Sequence, residues 1–164
     1  MPVSRLLDQL AIQVGISLNE KSLLLATAES CTGGLVAAAI TDVSGSSGWF
    51  ERGFVTYSNE AKSTMLGVPA KLIRDHGAVS EEVARAMAEG AQRLFSTDAT
   101  IAVTGIAGPA GGTPEKPVGT VWLAARLHTN TRAVKRVFPG DRDEIRRRAA
   151  QAGLDLLRRL LAAS

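Results

Sequence analysis

The chain has 164 residues, 45% of them hydrophobic and 21% charged, which is typical of a folded globular protein and fits one domain of residues 1–164. The single cysteine, Cys31, excludes an internal disulfide and a cysteine-rich zinc site, and it indicates a reducing compartment. The only histidines, His76 and His128, lie 52 positions apart. A metal centre is therefore not expected.

The net charge of +3 is unevenly distributed along the chain. Residues 1–130 hold 10 basic and 12 acidic residues, whereas residues 131–164 hold 9 and 4. The basic end indicates either an anionic ligand near the last helix or a solvated basic surface. Nucleic-acid binding is not favoured, because aromatic residues make up only 4% and no known motif is present. Residues 1–5 carry no leader pattern and the apolar runs are too short to span a membrane, so we expect a cytoplasmic protein without membrane contact.

The first half of the chain alternates between helical and strand patterns. Apolar residues at three- and four-residue steps predict a helix over residues 4–19. A continuous apolar run at 23–27 predicts a buried strand, and 35–41 has helical composition. A second strand is predicted at 54–57, and Asn59 is the expected N-cap of the helix that follows.

The second half continues the alternation. Ser80 is the expected N-cap of a long helix, and residues 100–104 form a third predicted strand. Two more strands, 119–125 and 133–138, form a hairpin, after which Asp141 caps the last helix. This order predicts an α/β protein, a single three-layer α/β/α domain with a mixed, mainly parallel central sheet.

Candidate binding residues follow three of the predicted strands. Ser30 follows the first strand, Tyr57 and Asn59 follow the second, and Thr104 and Gly105 end the third. Ligands in layered α/β folds bind beyond the carboxyl ends of strands. If the three strands are parallel neighbours, their loops meet at one pocket.

Ser30 is a candidate nucleophile. It lies between a buried strand and a helix that we expect to begin near Thr32, where unpaired N–H groups would stabilise an oxyanion and Gly33 and Gly34 would allow close approach. The alternative is that Ser30 or Thr32 only caps the helix. Cys31 is the rival nucleophile.

Lys62 is the candidate base, because histidine is scarce and lysine is the base of Ser-Lys hydrolases. A neutral Lys62 requires a pKa lowered from about 10.4 to near 7, which burial and a second cation would supply. The alternative is an ordinary solvated lysine. Tyr57 either relays a proton or orients the amine, or it is simply an aromatic residue at a sheet edge.

Two features are candidate anion sites. The glycine-rich loop 105–112, which includes Gly108, exposes N–H groups to a phosphate or is a plain flexible loop. Arg142 and Arg146 lie on one helix face, where they clamp a phosphate or belong to a surface ion-pair ladder. Glu29 and Glu60 are a possible carboxylate pair, but nothing in their spacing specifies a catalytic distance.

Six segments in the same order, between about Leu24 and Arg148, resemble the CinA C-terminal-domain family and in particular its stand-alone nicotinamide-nucleotide amidases: Thr27–Gly34, Gly45–Phe50, Gly53–Lys62, Gly77–Ser80, Thr104–Pro109 and Lys116–Val121. The resemblance implies hydrolysis of the carboxamide of nicotinamide mononucleotide to nicotinate mononucleotide and ammonia, in pyridine-nucleotide salvage. It assigns the Ser/Lys pair to Ser30 and Lys62 and places Tyr57 in the site. The expected oxyanion and substrate-binding residues are Cys31, Thr32, Gly33, Gly34, Ser47, Asn59, Thr104, Gly105, Gly108, Arg142 and Arg146.

The same resemblance implies no metal and no organic cofactor. It suggests a homodimer, with Trp49 and Phe50 as a candidate contact. The alternative function is a non-catalytic nucleotide-binding module of the same fold.

Overall fold

The computed structural model describes residues 3–164, which contain one five-stranded sheet with the strand order β2-β1-β3-β4-β5. β1 pairs in parallel with β2 and with β3, whereas the β3–β4 and β4–β5 pairs are antiparallel. The predicted mixed sheet is confirmed, with its three parallel strands side by side. The strands are β1 (Leu25–Glu29), β2 (Phe50–Val55), β3 (Ala99–Gly105), β4 (Thr120–Leu127) and β5 (Asn130–Val137).

Helices cover both faces of the sheet, which gives the three predicted layers. α1, α2 and α6 pack on one face, and α3, α4 and α5 pack on the other. The helices are α1 (Val3–Lys21), α2 (Leu35–Thr41), α3 (Asn59–Leu66), α4 (Ala70–His76), α5 (Glu81–Phe95) and α6 (Arg142–Ala162).

The central strands are buried on both faces, as their continuous apolar sequences predict. In β3, Ile101 and Val103 join the core under α1, α2 and α6, whereas Ala102 joins the core under α5. Gly153 lets α6 lie close to this sheet, because a Cβ atom there would be 3.0 Å from the Cγ2 atom of Ile101.

Side-chain caps fix the starts of three helices. The predicted caps Ser80 and Asp141 are confirmed, since each side chain accepts a hydrogen bond from a backbone N–H at the start of its helix. The predicted cap Asn59 is wrong. Ser58 caps α3 instead, accepting from the N–H of Ala61 at 3.0 Å, and Asn59 is the first helical residue.

Three other element predictions need correction. The helix after β1 begins at Leu35 rather than near Thr32, because Gly33 and Gly34 have φ values of +57° and +107° that no α-helix accommodates. β2 begins at Phe50 rather than Phe54, since an edge strand with solvent-facing polar residues lacks a strong apolar pattern. The short helix α4 was not predicted.

Trp49 packs inside this chain and is not an exposed contact. It is 2% exposed, and a Cβ atom at Gly15 of α1 would lie 2.5 Å from its ring. None of the described helices combines the length and apolar character needed to cross a membrane. Met1 and Pro2, part of the segment considered for a leader, lie outside the described residues.

Candidate active site

A pocket of about 220 Å³ lies beyond the carboxyl ends of β1, β2 and β3. The predicted convergence of the three loops is therefore confirmed. Eight of the expected site residues line the pocket, namely Ser30, Cys31, Tyr57, Asn59, Lys62, Thr104, Gly105 and Arg142, together with Ala78, Val79 and Ala107.

Ser30 is held at the edge of the sheet by both neighbouring strands. Its N–H donates to the carbonyl of Val103 at 2.9 Å, and the carbonyl of Glu29 accepts from the N–H of Thr56 at 2.8 Å. The serine side chain is 7% exposed. Its position is therefore set by the sheet and not by a mobile loop.

Lys62, in the first turn of α3, reaches the Ser30 hydroxyl. Its Nζ lies 3.0 Å from Ser30 Oγ, 3.0 Å from the carbonyl oxygen of Thr56 and 3.2 Å from that of Tyr57. The side chain is 1% exposed, and no carboxylate within residues 3–164 forms a salt bridge with it. Burial lowers the pKa of Lys62 below the ordinary lysine value, since it penalises the ammonium form.

Cys31 experiences the same burial with the opposite chemical result. Burial raises the pKa of its thiol to about 12. The thiolate is the nucleophilic form of cysteine, so this environment disfavours the reactive form of Cys31 at neutral pH. Within the described residues, the amine of Lys62 contacts the hydroxyl of Ser30 and makes no hydrogen bond to the thiol of Cys31.

Glu29 occupies N–H groups in the first turn of α2, whereas the N–H groups that the sequence assigned to an oxyanion lie just before this helix, at residues 31–34. Its buried carboxylate accepts from the N–H groups of Val36 and Ala37 at 2.9 and 3.1 Å, and from the Thr32 hydroxyl at 2.6 Å. The first N–H groups of α2 are therefore not free for a substrate. Glu29 also makes no pair with Glu60, which is exposed on the first turn of α3.

Arg146 contacts the turn that follows Ser30. Its Nε donates to the carbonyl of Cys31 at 3.0 Å and its Nη2 donates to that of Thr32 at 3.1 Å. The N–H of Gly33 is taken by the carbonyl of Ser30 at 3.0 Å. Within residues 3–164, the N–H groups of Thr32 and Gly34 have no hydrogen-bond acceptor, whereas the N–H of Cys31 contacts the sulfur of its own side chain.

Arg142 closes one side of the pocket. Its Nη1 donates to the carbonyl of Gly108 at 2.7 Å, and its Nη2 lies 3.3 Å from the hydroxyl of Tyr57. Tyr57 is 62% exposed, and Arg142 is exposed as well. Of the two predicted anion-binding arginines, Arg142 thus lines the pocket, whereas Arg146 is engaged with backbone carbonyls.

The structure does not bring Ser47 to this pocket. Ser47 lies in a short 3₁₀ turn before β2, and the N–H of Leu25, at the start of β1, donates to the carbonyl of Trp49. Ser30 and Tyr57 follow their strands. Because β1 and β2 are parallel, Ser47 is at the opposite edge of the sheet, about one strand length away.

Two residues of the pocket wall were missed from the sequence. Ala78 and Val79 belong to the link between α4 and α5, and the carbonyl of Ala78 accepts from the Thr104 hydroxyl at 2.9 Å. Gly77, with a φ of +81°, turns the chain there. The only available signal was the segment Gly77–Ser80, because small apolar side chains carry no chemical pattern.

The structure is thus an α/β protein in which a serine and a buried lysine lie within hydrogen-bond distance beyond the ends of parallel strands. The chain belongs to the CinA C-terminal domain family, whose model matches residues 7–161. It is 53% identical to the nicotinamide-nucleotide amidohydrolase PncC of Escherichia coli strain K12, covering 92% of each chain.

Other relatives are longer proteins. A CinA-like protein of Gemmatimonas aurantiaca is 56% identical over 87% of this chain, which spans only 33% of that relative. Among solved structures, the competence/damage inducible protein CihA of Agrobacterium tumefaciens superposes with a TM-score of 0.92 at 42% identity, covering 96% of each chain. The three-layer architecture is thus the architecture of a solved relative.

Proposed function

We propose that this chain is an amidase that hydrolyses the carboxamide of nicotinamide mononucleotide to nicotinate mononucleotide and ammonia. The observation that carries the proposal is the 3.0 Å contact between the buried Nζ of Lys62 and Oγ of Ser30. The likeness to a relative named nicotinamide-nucleotide amidohydrolase, over 92% of both chains, supports the substrate.

The three contacts of Lys62 suit a neutral amine. A neutral amine has two N–H bonds and one lone pair. In the structure Nζ donates to Ser30 Oγ and to the carbonyls of Thr56 and Tyr57, and the Ser30 hydroxyl donates to the Tyr57 carbonyl at 3.4 Å. In the neutral amine of the proposal, the two carbonyls accept its two N–H bonds and the lone pair faces the hydroxyl of Ser30. Burial favours this protonation state, because it lowers the pKa of Lys62. The pair is therefore arranged for general-base catalysis.

The first half of the reaction acylates the enzyme. Ser30 Oγ attacks the carboxamide carbon while its proton passes to Lys62 Nζ, and the electron pair of the C=O bond moves to oxygen. Unpaired N–H groups of the turn that follows Ser30 are the proposed donors to this oxyanion. The C–N bond then breaks, and the proton on Lys62 goes to the leaving nitrogen. Ammonia departs and an ester on Ser30 remains.

The second half releases the acid. Water attacks the ester carbon and gives a proton to Lys62. The bond between carbon and Ser30 Oγ then breaks, and Lys62 returns that proton to Ser30. The product is nicotinate mononucleotide, and the serine and the neutral lysine are regenerated.

Arg142 is the proposed ligand of the substrate phosphate. Its guanidinium lines the pocket and carries the positive charge that a phosphate requires. Tyr57 and Asn59 flank the same opening, and Thr104 and Gly105 form its wall. We assign these four residues to substrate binding, with the Tyr57 hydroxyl orienting Arg142.

The cellular setting follows from the substrate. Deamidation of nicotinamide mononucleotide belongs to pyridine-nucleotide salvage, and a single buried thiol suits the cytoplasm. We also propose that the chain acts as one domain and forms a homodimer. Light scattering on the protein as it elutes from a size-exclusion column measures the oligomeric state directly.

The test is a comparison of three amides. Nicotinamide mononucleotide, nicotinamide riboside and nicotinamide are each incubated with the protein, and ammonia is measured. We expect the mononucleotide to react most efficiently, with a hydroxylamine-sensitive acyl group on Ser30 found by mass spectrometry. Tight binding of the mononucleotide without ammonia release would establish a non-catalytic module instead.

A further inference from the structure

Ala107 contributes an unpaired backbone N–H group to the wall of the pocket at Ser30. The residue lies two positions after the last residue of β3, lines the pocket and is only 5% exposed. Within residues 3–164, its N–H has no hydrogen-bond acceptor. Buried N–H groups are almost always paired with protein or water, so an unpaired one in the wall of a pocket indicates a place for a ligand oxygen.

The preceding residue, Ile106, sets the direction of this N–H. Both backbone groups of Ile106 face β4, since its N–H donates to the carbonyl of Thr120 at 2.9 Å and its carbonyl accepts from the N–H of Gly119 at 2.8 Å. The carbonyl of Ile106 and the N–H of Ala107 belong to one planar trans peptide and point in opposite directions. The N–H of Ala107 therefore points away from β4.

The side of β3 that faces away from β4 is the side of the candidate nucleophile. β3 lies between β4 and β1 in the sheet, and Ser30 directly follows β1. The N–H of Ser30 donates to the carbonyl of Val103 at 2.9 Å, so the two strands are still paired at this level. Further along, a Cβ atom at Gly105 would lie 3.1 Å from Cys31 Sγ. The N–H of Ala107 therefore points toward the side of the pocket on which Ser30 lies.

The charges around the pocket suit an oxygen that carries negative charge. Among the described residues, those that line the pocket include Lys62 and Arg142 and no aspartate or glutamate. No carboxylate of the lining therefore competes for the N–H of Ala107. Preorganised N–H donors in such a site act most strongly on an oxygen that gains charge during the reaction.

We propose that the N–H of Ala107 donates to the carboxamide oxygen of the substrate while Ser30 attacks the carboxamide carbon. This inference rests on the proposed amidase function. The donor belongs to the loop after β3 and acts in addition to the turn that follows Ser30. Because the hydrogen bond strengthens as the electron pair of the C=O bond moves to oxygen, it lowers the barrier to acylation more than it improves substrate binding.

The test replaces the backbone N–H of Ala107 with an ester oxygen, by incorporating lactic acid at this position. The methyl side chain is retained. We expect kcat for nicotinamide mononucleotide to fall about 10²- to 10³-fold with KM nearly unchanged, as on the loss of one oxyanion donor. The same replacement at Ala110, an exposed alanine of the same loop that does not line the pocket, is the matched control and should leave kcat unchanged.

A second control concerns the carbonyl of Ile106, which becomes a weaker acceptor when it belongs to an ester. Glycolic acid at Gly119 removes the N–H that donates to this carbonyl and retains the N–H of Ala107. This protein should keep a kcat well above that of the ester at Ala107. Equal losses in the two proteins would assign the effect to the hydrogen bond between Ile106 and Gly119 and overturn the inference. A raised KM for the mononucleotide alone, with kcat unchanged and no effect on the riboside, would make Ala107 a phosphate ligand and overturn it as well.

Labelling with a fluorophosphonate separates this inference from the proposed function. Ser30 Oγ displaces fluoride from phosphorus, and the phosphonyl oxygen takes the place of the oxyanion. We expect the NMR signal of the Ala107 amide proton to move downfield on labelling of the unsubstituted chain, and labelling to be slower in the ester at Ala107. These results support the donor role even if nicotinamide mononucleotide is not hydrolysed, an outcome that would refute only the proposed function. An unmoved Ala107 signal with an unchanged labelling rate would refute the donor role.

Discussion

Two concave surfaces of this molecule differ in size and in chemistry. A groove of about 1180 Å³ runs beside β5, and we call it the arginine groove after the residues in its walls, which are Arg85, Arg132, Arg136, Arg148, Arg158 and Arg159. The pocket at Ser30 holds only about 220 Å³. The smaller cavity nevertheless brings the hydroxyl of Ser30 within hydrogen-bond distance of the buried amine of Lys62.

The difference lies in how each charge is surrounded. In the arginine groove, Arg158 and Arg159 both bind Asp155, and Arg148 faces Glu144 at 3.8 Å. These arginines are in contact with solvent, where such pairs contribute little and are screened by salt. Lys62 is buried among neutral partners. Under the proposed function, reactivity follows from the burial of Lys62 without a counter-charge, and not from cavity volume or the number of charges.

The largest expected effect is the loss of kcat when either Ser30 or Lys62 in the smaller pocket is substituted. Ser30→Ala and Lys62→Met should each lower kcat by about 10⁴-fold or more, and the double variant should be no slower than either single variant, because the two groups act as a unit. Ammonia release in single-turnover experiments measures this. Additive losses in the double variant would contradict a shared catalytic step.

The second prediction concerns pH. Below the lowered pKa of Lys62 the amine is protonated, so kcat/KM should fall about tenfold per pH unit as the pH decreases. The same burial affects stability. Unfolded Lys62 keeps a pKa of about 10.4, so the unfolded chain binds more protons between the two pKa values and stability rises with pH across that window.

Lys62→Met removes this linkage. Relative to the variant, the parent protein should be least stable below the folded-state pKa of Lys62, and the deficit should shrink as the pH approaches about 10.4. Melting temperatures of both proteins from pH 6 to pH 10 measure the effect. Parallel curves over the whole range would mean that the pKa of Lys62 is not lowered in the folded state.

The third prediction compares two arginines of equal charge, one in each region. Arg142→Ala should raise KM for nicotinamide mononucleotide about 10- to 100-fold with little change in kcat, because a hydrogen bond to a charged group contributes about 1.5–3 kcal/mol. Arg132→Ala, in the exposed wall of the arginine groove, is the matched control and should leave KM unchanged.

Nicotinamide riboside sharpens this comparison, because it lacks the phosphate. The Arg142→Ala effect should disappear with the riboside. If Arg142→Ala raises KM equally for both substrates, Arg142 orients Tyr57 or Gly108 and does not bind the phosphate.

These regions also show what the sequence could predict. The contact of Ser30 with Lys62 was accessible, because adjacent parallel strands bring their carboxyl ends together and one helical turn supplies the reach. The role of Arg146 was not accessible, since its partners lie on a turn 115 and 114 positions away. The placement of Ser47 in the binding site was wrong, because a motif shared with a family does not show whether its residues lie before or after a strand. Ser47 lies before β2.

Secondary structure was likewise predicted well only where the signal is local in the sequence. β3 and α5 were predicted well because strong apolar patterns and the Ser80 cap specify them locally. β2 was only partly predicted, because its burial depends on a single neighbouring strand. Nothing in the sequence indicates that Glu29 is a buried helix cap. A glutamate that accepts from the first N–H groups of a helix cannot be distinguished by residue type from a glutamate on the surface.

The smallest expected effect concerns Cys31, because burial raises the pKa of its thiol whereas it lowers the pKa of Lys62. At pH 8 a thiol with a pKa of about 12 is ionised to only about one part in 10⁴, so iodoacetamide should modify native Cys31 far more slowly than a free thiol of pKa about 8.5. Cys31→Ala should keep kcat within about threefold, as expected of a small buried side chain outside the bond-making steps. Rapid alkylation with loss of activity, or a Cys31→Ala variant as inactive as Ser30→Ala, would transfer the nucleophilic role to the thiol. A slow reaction that becomes fast on unfolding would show that burial, which lowers the pKa of Lys62, also keeps the cysteine protonated.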